Sequence, residues 1–126
     1  MDRTKMRKVA AAAIAAIGAI HLVLAPEYFG EQAYVGILFL CGAGASAVIA
    51  GRLWIADHTP AWIAGAAVSL GMGVGFILSR TVGLPGFHES EWELSGVVSL
   101  LLEAGFLGLA FAGIRRFLLV RQPLTR

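Results

Sequence analysis

Four apolar runs take up most of this chain, at residues 9–25, 33–56, 61–80 and 94–114. A helix crosses the hydrocarbon core of a bilayer with about 20 apolar residues, and runs near that length can span it. No water reaches that core, so a spanning backbone has to satisfy its own hydrogen bonds, and for runs of this length that means helices. The connections are short, which makes consecutive helices antiparallel neighbours. The expected fold is therefore all-α: one four-helix transmembrane bundle, a single integral membrane domain over residues 1–126. Composition agrees, with 58% hydrophobic and 14% charged residues where a soluble domain carries about 25% charged.

The first run follows a basic start (Arg3, Lys5, Arg7, Lys8) and so has the outline of a signal peptide. Pro26 sits directly after its one small-residue exit and disfavours cleavage, so the run is read as a retained helix ending at that proline. Lys and Arg then orient the bundle. The N-terminus carries four, residues 52–60 carry Arg52, and the C-terminus carries Arg115, Arg116, Arg121 and Arg126. The opposite side has Arg80 against Glu27, Glu31, Glu89, Glu91 and Glu93. By the positive-inside rule both termini are expected in the cytoplasm of a multi-pass plasma-membrane protein. Trp54 and Trp62 would mark the inner interface, and Tyr28, Tyr34 and Trp92 the outer one. Asp57 or Thr59 would cap the third helix, His58 would be solvated, and the stretch 115–126 would extend the fourth helix along the inner surface.

Small residues recur at packing spacing: Ala11, Ala15 and Ala19, then Gly65, Ser69 and Gly73, with Gly71 and Gly75 as another pair. Such stripes let helices approach closely in lipid and are read as helix-packing surfaces. Stripes on several faces also lead us to expect a homodimer or a place in a larger membrane complex, besides the lipid bilayer as partner. The net charge of +2 is too small to argue for nucleic acid. Cys41 is the one cysteine, which excludes an internal disulfide and a CxxC motif. With no activated Ser, no Cys beside a His and no cofactor motif, the chain is not expected to be an enzyme.

Glu103 lies deep in the fourth run. A carboxyl group there is costly and is read by default as part of a functional site. Counted from Glu93 it sits about 15 Å along the helix, or about 10 Å if the hydrocarbon begins nearer Gly96. Gly96, Ser99 and Glu103 share one helix face, so Ser99 can donate to the carboxyl group and the face should turn inward. His21 lies about one turn before Pro26, and Glu27 and Glu31 share a face if that stretch is helical. The expectation is an outward-facing polar pocket built from His21, Arg80 and Glu103, with Ser99 behind Glu103 and Glu27 and Glu31 at the rim. Pro85 between Gly83 and Gly86 would fold the following loop back over the pocket mouth, with Arg80 at its base.

Three readings of this set compete. His21, Glu27 or Glu31, and Glu103, joined by His88, would hold a divalent metal such as zinc, iron or manganese. Glu103 would carry protons or contact substrate in a small transporter or ligand-binding protein, tuned by Arg80 or His21. Or Glu103 would pair with Arg80 or His21 to keep the helices in register, making the protein a structural or accessory membrane component.

The stretches "HLVLAPEYFGE" (His21, Pro26, Glu27) and "SRTVGLPG" (Ser79 to Pro85), with an acidic residue in the fourth span, resemble uncharacterised small four-span membrane proteins common in actinobacteria. That resemblance implies the four-span layout and brings no activity. In the family pattern a His follows the Pro-Glu pair; Tyr28 stands there in this chain, which takes an imidazole away from any metal site at that position. Dual-topology fluoride channels have a similar layout but depend on Asn, which this chain lacks. Small multidrug exporters place their Glu in the first span rather than the fourth.

Overall fold

A computed structural model describes residues 2–120. Four helices run in chain order: α1 (Arg3–Glu31), α2 (Ala33–Ile55), α3 (Thr59–Arg80) and α4 (Leu94–Val120). Each is long and apolar enough to cross a membrane. The chain is a small all-α integral membrane protein. The closest-packed pair is α1 with α2; α3 packs on α4 and α1 on α4, and the α2–α3 seam is the loosest of these contacts. Of the expected extension at residues 115–126, residues 115–120 continue α4 and residues 121–126 lie outside the described residues.

The helix does not stop at Pro26. α1 continues to Glu31 with Pro26 inside it, because neighbouring helices can support a proline-interrupted turn in a membrane. The expected 26–32 connection shrinks to Gln32, which is extended (φ −156°, ψ 119°) and whose carbonyl accepts from Val35 N at 3.1 Å. So tight a hairpin needs Gly36: a Cβ there would lie 2.4 Å from the Phe29 ring.

The core explains why the helices pack as they do. Met6, Ala10, Ile14 and Ile17 of α1 recur every three or four residues and meet Ile49, Leu53, Trp62, Phe106 and Ala110, giving the apolar stripe of a bundle helix. Close approach comes from Gly18 against Ser46 and Ala43, and from Gly65 against Phe106. Ala15 and Ala19 are exposed, so the alanine stripe leaves the helix-packing surface after Ala11. Gly71 and Gly75 would have nothing within 4 Å of an added Cβ; they leave space between helices instead of closing it.

The end that carries both termini is tied by polar contacts. Asp2 caps α1 through Lys5 N at 2.8 Å. Arg7 donates to the carbonyls of Leu53 and Trp54 at the end of α2, at 2.8 and 3.0 Å. Arg3 pairs with Asp57, the one ion pair among the described residues. Trp62 is 1% exposed and donates Nε1–H to Asp57 at 2.9 Å; it is a core residue rather than an interface marker, whereas Trp54 is exposed. The α3 cap is His58, whose Nδ1 accepts from Ala61 N at 3.2 Å, because Asp57 is committed to Arg3 and Trp62. Burial raises the Asp57 carboxyl, but the bonds from Arg3 and Trp62 and the charges of Arg3 and Arg7 outweigh it and hold the group below its ordinary 3.8.

At the opposite end, Leu84 and Phe87 exchange backbone bonds of 2.7 and 2.9 Å around Pro85 and Gly86 (φ 66°). Proline followed by a left-handed glycine is what a type II turn requires. Phe87 is buried against Tyr28, with ring centroids 5.6 Å apart, and Tyr34 Oη donates to the Pro85 carbonyl. The loop therefore folds back over the end of the bundle.

Candidate functional site

A cavity of about 490 Å³ lies among the four helices beneath that loop, lined mostly by apolar side chains. Its volume is within the roughly 300–1,000 Å³ of small-molecule sites. Six polar side chains reach its wall: Tyr28, Ser79 and Arg80 at one level, His21, Ser99 and Glu103 at another.

Arg80 ends α3 and is 8% exposed. Its Nε donates to the Glu91 carbonyl at 3.2 Å, one terminal nitrogen to Ser79 Oγ at 2.7 Å, and the other to Tyr28 Oη at 3.0 Å. The guanidinium also sits 4.2 Å from the centre of the Phe76 ring, a cation–π contact. Glu89 N bonds the Ser79 carbonyl at 2.9 Å, which pulls the loop across Arg80. Among the described residues, every contact partner of the cation is a neutral oxygen or a ring. The side chain turns into the protein instead of reaching for headgroups.

Glu103 is 3% exposed and Ser99 4%. Ser99 Oγ donates to Glu103 Oε2 at 2.7 Å, the one-turn contact that the shared helix face allows. A Cβ on Gly73 would lie 3.5 Å from Glu103 Oε1, so the carboxyl group stands level with Gly73. Gly73 is seven residues before Arg80, about 10 Å lower along the helix. His21 is likewise seven residues before Tyr28, which touches Arg80. The site thus has an upper tier around Arg80 and a lower tier of His21 and Glu103, about two turns apart.

His21 Nδ1 lies 2.8 Å from the Ile17 carbonyl. A carbonyl only accepts, so Nδ1 carries a proton and the neutral ring keeps Nε2 as an acceptor. Neither Nε2 nor Glu103 Oε1 has a protein hydrogen bond among the described residues. The His21 ring packs on Phe39, with centroids 4.8 Å apart, and Phe39 packs on Tyr28.

Several expectations change. Glu103 pairs with neither Arg80 nor His21; its bond stays within α4, so it ties no helices together. Glu27 and Glu31 are exposed and do not line the cavity: their shared face of α1 is not the face that carries His21, Ala25 and Tyr28. His21, Glu27 and Glu103 consequently do not converge, and no group of three His, Cys, Asp or Glu able to hold a metal occurs among the described residues. His88 is exposed and bonds the Thr81 carbonyl at 3.1 Å.

Compared with protein-family models, curated proteins and solved structures, the chain matches none of them. The site is therefore read from its own chemistry. Tyr28, expected at the interface, is 2% exposed and is the residue the sequence reading missed. Its spacing from His21, i to i+7, was the available signal, because it places both on one face of α1.

Proposed function

We propose that this membrane protein binds a small molecule bearing one anionic group, which docks on Arg80 while the rest of the ligand lies between the helices. The observation that carries this reading is Arg80 itself: a buried cation on a cavity wall with no carboxylate in ion-pair contact among the described residues. Burying a charge is costly unless it is paired, and a ligand anion supplies the missing pair. Of the five guanidinium N–H groups, three are engaged, leaving one on each terminal nitrogen for the ligand. His21 and Glu103 lie about 10 Å deeper in the cavity, away from the anion site. The excess of Lys and Arg at the termini supports a cytoplasmic placement of both, with the cavity mouth facing outward from the plasma membrane.

Thermal melting of the purified protein with hexanoate, hexylphosphonate and hexyltrimethylammonium tests the reading. A ligand that binds the folded state raises Tm in proportion to the logarithm of its concentration above Kd. The anions are expected to raise Tm in the wild type and not in Arg80→Gln, and the cation in neither. Equal shifts in wild type and Arg80→Gln would remove Arg80 from the site.

A further inference from the structure

We infer that the ligand is a single-chain amphiphile with a carboxylate head, and that it enters sideways from the bilayer through the seam between α2 and α3. This rests on the reading of Arg80 as an anion site and adds the route and the ligand class. The seam is the loosest of the main helix contacts. Cavity-lining residues stand open along it: Leu38 is 59% exposed, Cys41 is exposed, and so are Ala67 and Gly71 across from them. Leu38, Cys41, Gly42 and Ala45 fall on one face of α2, and Val68, Gly71, Met72 and Gly75 on one face of α3. These positions lie in the middle of the spans, where the surroundings are hydrocarbon and not water. The cavity therefore opens to lipid.

Small residues make that opening. Nothing lies within 4 Å of a Cβ added at Gly71 or Gly75, and below Cys41 the seam is crossed by the Met72 methyl resting on Gly42, 2.5 Å from an added Cβ. Met is unbranched and flexible, so this closure yields to a chain sliding past. An aliphatic chain matches the apolar wall. The head matches Arg80, which offers two free N–H groups. Its single charge calls for a monoanion, and the exposed rim adds a reason. Glu31 lies within electrostatic reach of Glu89, Glu27 and Glu93, and of Arg80 itself; the carboxylate rim repels a phosphate dianion more strongly than a carboxylate.

Cys41, the one cysteine of the chain, places a label in the seam without mutation. The protein in phosphatidylcholine nanodiscs is alkylated at Cys41 with monobromobimane, and the rate of dodecanoate association is measured by stopped-flow fluorescence. Labelling is expected to slow dodecanoate association about tenfold, and bimane treatment to leave Cys41→Ser unchanged. Ala67→Phe, at an exposed position on the seam, is expected to slow it as the label does. Dodecyltrimethylammonium is expected not to bind. A dodecanoate association rate that neither the label nor Ala67→Phe alters would overturn sideways entry while leaving Arg80 as the anion site. Equal binding of dodecyltrimethylammonium would overturn the carboxylate head. Absence of any Arg80-dependent response to hexanoate would instead remove the underlying reading.

Discussion

Glu103→Leu separates a residue kept for a ligand from one kept for the fold. The wild-type carboxyl group has one internal hydrogen bond, from Ser99 at 2.7 Å. Polar bonds between residues in membrane proteins contribute on average about 0.6 kcal/mol. The second oxygen has no protein hydrogen bond among the described residues and borders the cavity. Leucine removes the Ser99 bond together with the cost of holding a carboxyl group in apolar surroundings. It has one heavy atom fewer than Glu and meets Gly73, where the nearest carboxyl oxygen lies at ordinary contact distance from an added Cβ, beside a cavity that accommodates its methyl groups. The freed Ser99 hydroxyl can turn to the carbonyl one turn earlier in its own helix. The balance is unchanged stability or a gain of about 1 kcal/mol. If Glu103 instead held helices together as one member of a buried ion pair, removing it would cost about 3–5 kcal/mol. Reversible unfolding in mixed micelles, followed by circular dichroism, resolves this difference. A loss of about 3 kcal/mol or more would mean that Glu103 holds the helices together.

Other expectations follow from the same contacts. Gly65→Ala places a Cβ 2.4 Å from the buried Phe106 ring and is expected to destabilise by about 1–3 kcal/mol in the same unfolding assay; a neutral result would mean that α3 and α4 lie farther apart. Tyr28→Phe removes one of the three Arg80 bonds and is expected to cost about 1 kcal/mol while leaving anion binding at Arg80 in place, as read by the Tm shift with hexanoate. Asp57 is held below its ordinary value of 3.8, so the folded state binds its proton less readily than the unfolded state. The stability it contributes is present above that value and disappears as pH falls through the lowered one. Melting curves between neutral and acid pH should show less acid loss in Asp57→Asn than in wild type.

The spans were legible because hydropathy and length alone decide whether a helix can cross a bilayer, and four runs met that condition. The end of α1 was not. Pro26 reads as a stop in water, but in the bundle the helix passes through it and the turn moves to Gln32. Ser99 and Glu103 were legible as neighbours because a one-turn contact depends only on spacing. Arg80 and Tyr28 are 52 residues apart, and their contact depends on how α1 and α3 rotate about their axes, which periodicity does not specify. Rotation also decided the small-residue stripes. Gly65 faces Phe106 and closes an interface, whereas Gly71, six residues later on the same helix, faces the seam and opens one. Trp62 and Trp54 looked alike as interfacial aromatics, yet the partner Asp57 drew Trp62 inward.

Arg80 and Glu103 share a cavity without pairing. A double-mutant cycle in the ligand-free protein tests it, comparing the unfolding free energies of wild type, Arg80→Met, Glu103→Leu and the double variant. Groups about 10 Å apart with no common partner act additively to within about 0.5 kcal/mol, and that is the coupling expected here. A coupling of about 1.5 kcal/mol or more would mean that the two charges are joined, and would contradict a site held open for a ligand.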